Sequence, residues 1–134
     1  MVSQTFPILR IAVLLTVLNS SANAGTSNSL LDISTDGKLL ACSNRDSGTV
    51  TIVNLATHTK QFETSVGEKP EGVSFVGDSH QLAVAVYGDD VIRVVDADTG
   101  KVTATVAVFD EPYGLVINRD GSRLFATLDY PGQV

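Results

Sequence analysis

The side chains of this chain that could do chemistry are charged and aromatic residues set between short apolar runs. One set lies between the second and third runs of each stretch: Asn44, Arg45 and Asp46, then Tyr87, Asp89 and Asp90, then Asp129 and Tyr130. Another set lies where a new stretch begins: Lys69 and Glu71, then Asp110, Glu111 and Tyr113. Loops on a rigid scaffold are where binding residues concentrate. Arg45, Asp46, Glu71, Tyr87, Asp89, Asp90, Tyr113, Asp129 and Tyr130 are therefore the candidate ligand-contacting residues.

No bond-breaking machinery accompanies them. The sequence has no Gly-x-Ser-x-Gly elbow, phosphate loop or dinucleotide fingerprint, so no catalytic residue is assigned. Asp36-Gly37 and Asp120-Gly121 could pass for fragments of a calcium loop, but the alternating acids and distal Glu are missing. Asp-Gly is instead a preferred two-residue hairpin turn, and Asp96-Ala97-Asp98 reads as a turn in the same way. His58 and His80 fall in turn-rich segments as exposed residues, with no second ligand at metal-binding spacing. Cys42 is the single cysteine. It excludes an intrachain disulfide and reads as a small packed thiol. The expectation is no metal and no cofactor.

The elements that must position these residues are repeated. Asp36, Asp78 and Asp120 recur at an interval of 42 residues, as do Leu40, Leu82 and Leu124. Pro70-Glu71-Gly72 returns as Pro112-Tyr113-Gly114, Val50 as Ile92, Asn54 as Asp96 and Thr57 as Thr99. One unit, residues 70 to 111, holds four apolar runs separated by turns: Val73-Ser74-Phe75, Leu82 to Val86, Val91 to Val95 and Val102 to Val108. That is an antiparallel meander. The middle runs are apolar or small on both faces, whereas the last alternates. Sheets covered by neighbouring sheets are the blades of a β-propeller. The expected fold is all-β: four-stranded antiparallel blades over residues 28 to 69, 70 to 111 and, incompletely, 112 to 134. The leucines at 40, 82 and 124 are expected to be buried between blades.

The pattern of Pro-x-Gly, apolar strand, Asp-Gly-x-x-Leu, strand, Val-x-Val-x-Asp and Thr-Gly-Lys-Val resembles the YVTN-type β-propeller repeat. Its better matches are Asp36-Gly37-Lys38, Asp120-Gly121-Ser122-Arg123-Leu124 and Val91 to Asp96. The signature tetrapeptide itself is degenerate, as Ala41-Cys42-Ser43-Asn44, Ala83-Val84-Ala85-Val86 and Phe125-Ala126-Thr127-Leu128. The resemblance implies a propeller of the kind found among secreted and surface-layer proteins, lactonase-like enzymes, and haem- or quinone-linked dehydrogenase and nitrite reductase subunits. A c-type haem would need Cys-x-x-Cys-His, which the chain lacks.

Residues 1–24 read differently. Arg10 is their one charge, Ile11 to Leu18 is apolar except for Thr16, and Ala22-Asn23-Ala24 is an A-x-A cleavage signal. This is a secretory signal peptide cut before Gly25, and its apolar core is too short to span a membrane. Its removal takes Arg10 and no acid, leaving 8 basic against 15 acidic residues and a net charge of −7. Such acidity argues against a nucleic-acid partner.

These readings converge on an exported propeller, periplasmic or secreted, that binds a small molecule or a protein on one face. A redox subunit and a lactonase-like hydrolase are the alternatives. Two and a half blades do not close a ring, since propellers have about 4–8. The remaining blades are expected in the same chain or in another subunit.

Overall fold

The structure, a computed structural model, describes residues 30–129. The expected signal peptide, its cleavage site and Tyr130 lie outside the described residues.

Among the described residues ten strands follow one another: β1 (Leu31–Ile33), β2 (Leu39–Asn44), β3 (Thr49–Asn54), β4 (Thr59–Ser65), β5 (Pro70–Phe75), β6 (Gln81–Val86), β7 (Val91–Asp96), β8 (Lys101–Ala107), β9 (Pro112–Ile117) and β10 (Leu124–Leu128). A 3-10 turn, Tyr87–Asp89, follows β6. The strands form three antiparallel sheets in meander order, β1 to β4, β5 to β8, and β9 with β10. The expected four-plus-four-plus-two arrangement of partial propeller blades is what is found.

Turn chemistry explains the repeated polar positions. Asn54 Oδ1 accepts from the N–H groups of Ala56 and Thr57, and Asp96 Oδ1 accepts from those of Asp98 and Thr99. These are the same side-chain-to-backbone turn written twice. Asp36 and Asp120 likewise accept from Lys38 N–H and Ser122 N–H. The Asp-Gly pairs are turn residues, with Gly37 and Gly121 at φ of 70° and 72°.

Burial follows the two-residue period of a strand. Leu39 and Ala41 of β2, with Val50 and Ile52 of β3, meet Val73, Phe75, Leu82, Val84 and Val86 of the second blade in one apolar cluster. Burying one such Leu or Val side chain contributes about 1.5–3 kcal/mol, and this cluster joins the two blades. On the opposite face of β6, Ala83 and Ala85 are also fully buried, as expected for a sheet covered on both sides.

Two expectations fail beside or within the two-stranded third sheet. Leu40 and Leu82 are buried at 7% and 0% exposure, but Leu124 is 36% exposed. The whole of β8 is exposed rather than alternating. Both have one cause: among the described residues the third sheet has two strands, so it covers neither the outer part of the second blade nor its own flank.

The innermost strands β1, β5 and β9 pack side by side. Gly72 sits where β5 and β9 approach most closely: a Cβ there would lie 2.5 Å from Tyr113 O and 2.9 Å from Leu115 N. The glycine of Pro70-Glu71-Gly72 is therefore a packing requirement between β5 and β9, whereas at Gly114 a Cβ would meet Thr127 Oγ1 of its own sheet at 3.1 Å. Among the innermost strands Asp32 Oδ2 accepts from Phe75 N–H at 2.9 Å, tying β1 to β5.

Candidate functional site

The strand ends divide the molecule into two rims. One rim carries the turns after β2 and β6 and the loops that enter β5 and β9. It gathers most of the residues proposed from sequence. Arg45 and Asp46 lie in the turn after β2. Tyr87 and Asp89 form the 3-10 turn after β6, and Asp90 follows it. Asp129 follows β10.

Glu71 departs from expectation. The sequence places it in a loop, but it lies within β5 and is only 4% exposed. A buried carboxylate needs a partner, and Arg45 of the first blade supplies one, its Nε donating to Glu71 Oε1. The Arg45 side chain is 34% exposed and stands over the Tyr87 ring, 5.9 Å from its centroid. The guanidinium thus meets a carboxylate and an aromatic face of the second blade together.

The next junction repeats the placement with different chemistry. Tyr87 occupies the repeat position of Arg45, and it too reaches the following blade. Its hydrogen bond to Glu111 leads the causes that push its hydroxyl pKa up to about 12, followed by burial and by the charges of Glu111 and Asp129. Asp129 also donates its N–H to Glu111 O at 3.0 Å. Arg45, Glu71, Tyr87, Glu111 and Asp129 form a polar chain across three blades.

The backbone holds this rim in an uncommon conformation. Lys69, Asp90 and Glu111 all have positive φ, at 51°, 56° and 35°. Lys69 and Glu111 occupy one repeat position, and Asp90 shares another with Gly48. Left-handed non-glycine residues persist only where their surroundings hold them. Asp90 Oδ1 accepts from Glu111 N–H at 2.9 Å, and Asp90 O accepts from Val108 N–H. Burial pushes the Asp110 carboxyl up, reinforced by the neighbouring charges of Asp90 and Glu111.

A cavity of about 590 Å³ opens between the first two blades on this rim, lined by Arg45, Asp46, Gly67, Glu68, Lys69 and Asp89 among others. Asp89 Oδ1 accepts from Glu68 N–H and Asp89 Oδ2 from Arg93 Nη2, each at 3.3 Å. A smaller cavity of about 340 Å³ lies at the other end of the inner strands, lined by Asp32, Thr35, Phe75, Asp78 and Arg119 among others.

Tyr113 is placed apart from this chain as a 45% exposed residue of β9, and Cys42 is half-buried in β2. Sequence alone does not single out Glu68 or Arg93. Glu68 precedes Lys69 in a loop of candidate residues, which is the available signal. Arg93 lies mid-strand and carries none. Among the described residues no group of three or more His, Cys, Asp or Glu side chains is arranged to hold a metal ion, and no helix is long and apolar enough to cross a membrane.

Residues 5–129 match the sequence profile of YNCE-like beta-propellers. Among solved structures, the chain is similar to a Kuenenia stuttgartiensis hydrazine synthase chain at 24% identity and a TM-score of 0.70, over 81% of this chain and 33% of that one. It is similar to U3-55K at 24% identity and 0.60, over 67% and 28%. It is similar to the RRP9 WD40 repeats at 24% and 0.58, over 63% and 26%. At these identities the likeness is one of fold. The chain spans a third or less of each of these structures. No curated protein matches it in sequence.

Proposed function

The chain belongs to the YNCE-like β-propeller family, and from that premise we propose that it is an exported binding scaffold whose partner docks on the rim carrying Arg45, Glu71, Tyr87 and Glu111. The observation that carries this reading is the Arg45–Glu71 pair, in which a carboxylate only 4% exposed sits in an innermost strand and faces a partner from the preceding blade. A framework that needed only apolar packing would not require a charge there, because a hydrophobic pair of similar volume holds a core at least as well.

The partner's chemistry follows from the rim's balance. The rim carries Asp46, Glu68, Asp89, Asp90, Asp110, Glu111 and Asp129 against three cations, of which Arg45 is engaged by Glu71 and Arg93 by Asp89, leaving Lys69 beside the cavity. Burial first, and then the neighbouring charges of Asp90 and Glu111, push the Asp110 carboxyl up. A ligand or protein segment bearing positive charge offsets the excess of acids, and electrostatic complementarity of this kind speeds encounter and fixes orientation. Export, with the mature chain beginning at Gly25, places the rim where such a partner is extracytoplasmic.

The test is thermal stabilisation of the full-length protein by polyamines and by a lysine-rich peptide at low salt, set against an acidic peptide of equal length. Stabilisation by the cationic probes should vanish in the triple variant Asp90→Asn, Asp110→Asn, Asp129→Asn. It should survive Asp78→Asn with Asp120→Asn at the opposite rim. Equal loss in both variants, or no discrimination between the peptides, defeats the reading. N-terminal sequencing of exported protein tests the location, with Gly25 as the expected first residue.

A further inference from the structure

The rim opposite the proposed binding face carries a second junction between the first two blades, centred on His80. Its imidazole lies between two carboxylates. Nδ1 is 2.8 Å from Asp98 Oδ1, in the turn between β7 and β8 of its own blade. Nε2 is 3.3 Å from Asp36 Oδ2, in the turn between β1 and β2 of the first blade. His80 is therefore a bridge rather than a freely exposed turn residue.

The donor count makes the bridge conditional. An ionised carboxylate only accepts hydrogen bonds, and a neutral imidazole has one N–H. Neutral His80 can therefore satisfy one carboxylate and must turn a lone pair toward the other. Protonated His80 donates to both. The shorter hydrogen bond, to Asp98, retains the single proton of the neutral form. Deprotonation therefore breaks the hydrogen bond to Asp36, which is the one between blades.

Asp36 is held ionised throughout. The Lys38 ammonium, 2.9 Å from Asp36 Oδ2, leads the causes that keep its carboxyl well below the usual range, followed by Ser34 Oγ and the Lys38 N–H. Lys38 shares Oδ2 with His80 and keeps Asp36 paired without the imidazole. A second polar link across this junction, Thr35 Oγ1 donating to Gly77 O at 2.7 Å, has no titrating group. Among the described residues Asp36, Lys38 and Asp98 are the charged groups facing the ring, with Asp78 in its own turn.

We propose that His80 is a proton-operated latch between the first and second blades, closed on Asp36 when doubly protonated and released to Asp98 alone when neutral. The electrostatics agree with the geometry, since the hydrogen bond to Asp98, and then that to Asp36 against the cost of burial, raises the His80 pKa. A folded-state value above the ordinary imidazole value of about 6.5 makes the latch stabilising. That stabilisation is full below about 6.5 and lost as pH rises through the folded-state value.

Proton NMR of the full-length protein follows the His80 ring through neutrality, together with the Lys38 amide, whose N–H bonds Asp36 Oδ1. The ring should titrate above about 6.5, and Asp98→Asn and Asp36→Asn should each lower its midpoint. The Lys38 amide shift should move with the same midpoint and lose that transition in His80→Gln. The isosteric Asn variants keep the turns intact if His80→Gln perturbs folding. A ring that titrates at or below the ordinary value, or a Lys38 amide indifferent to it, overturns the latch.

Discussion

Replacing Arg45 by Met tests the bond on which the proposed binding rim is built. The substitution keeps much of the side chain's apolar stem and removes the guanidinium. Glu71, at 4% exposure, then lacks its counterion. Breaking one side of a fully buried pair costs about 3–5 kcal/mol. Arg45 is itself 34% exposed, so water can follow it to the carboxylate, and the electrostatic part falls to about 2–3 kcal/mol. The contact with the Tyr87 ring, at 5.9 Å, adds about 0.5–1 kcal/mol. The expected loss is about 3 kcal/mol in urea denaturation of the full-length protein. Adding Glu71→Met should restore most of it, leaving the double variant within about 1 kcal/mol of wild type, because the desolvation of both charges is removed together. The coupling energy from the cycle should exceed about 1.5 kcal/mol. A single-variant loss below about 0.5 kcal/mol would place the pair among solvent-screened surface bridges, and the argument that the rim is organised around a buried charge would fail.

Leu82→Ala, at a fully buried position between the first two blades, should cost about 2–5 kcal/mol in chemical denaturation; a loss below about 0.5 kcal/mol would mean the blade register is wrong. Gly72→Ala should destabilise by about 1–3 kcal/mol, because its Cβ would meet Tyr113 O at 2.5 Å; an unchanged denaturation midpoint would refute the close approach of β5 and β9. Tyr87 should ionise near pH 12 in ultraviolet titration, identified as the transition absent from Tyr87→Phe and lowered in Glu111→Gln. The raised value favours the neutral phenol in the fold, so this contribution to stability is complete below about pH 10 and is lost as pH climbs toward about 12. A Tyr87 midpoint indifferent to Glu111→Gln would remove the link to the third blade.

The framework is legible in sequence because its physics is local and copied. The turn at Asn54 and the turn at Asp96 are each made by one side-chain oxygen and the next few N–H groups, so their spacing alone exposes the repeat. Gly72 answers to the close backbone approach of two adjacent inner strands. The rim is legible as a set of loops and illegible as chemistry. Nothing local to Glu71 shows that it is buried; that follows from Arg45, 26 residues earlier, swinging across a blade boundary. His80 escapes a sequence reading for the same reason. Its turn composition is real, but its partners Asp98 and Asp36 lie 18 and 44 residues away, the first brought by strand pairing within the blade and the second by stacking of the blades. The repeat therefore has two different uses at its blade boundaries. Where strands pack through apolar faces the copies stay alike, as Leu40 and Leu82 are both buried, although of the two only Leu82 lies in the cluster that joins the first two blades. Where they meet through polar groups the copies diverge, so that Arg45 reaches a carboxylate and Tyr87, one repeat later, reaches another through a phenol. Under the proposed function a ligand spanning two junctions would meet a guanidinium at one and a phenol at the next, and that difference would give an otherwise repetitive face a direction.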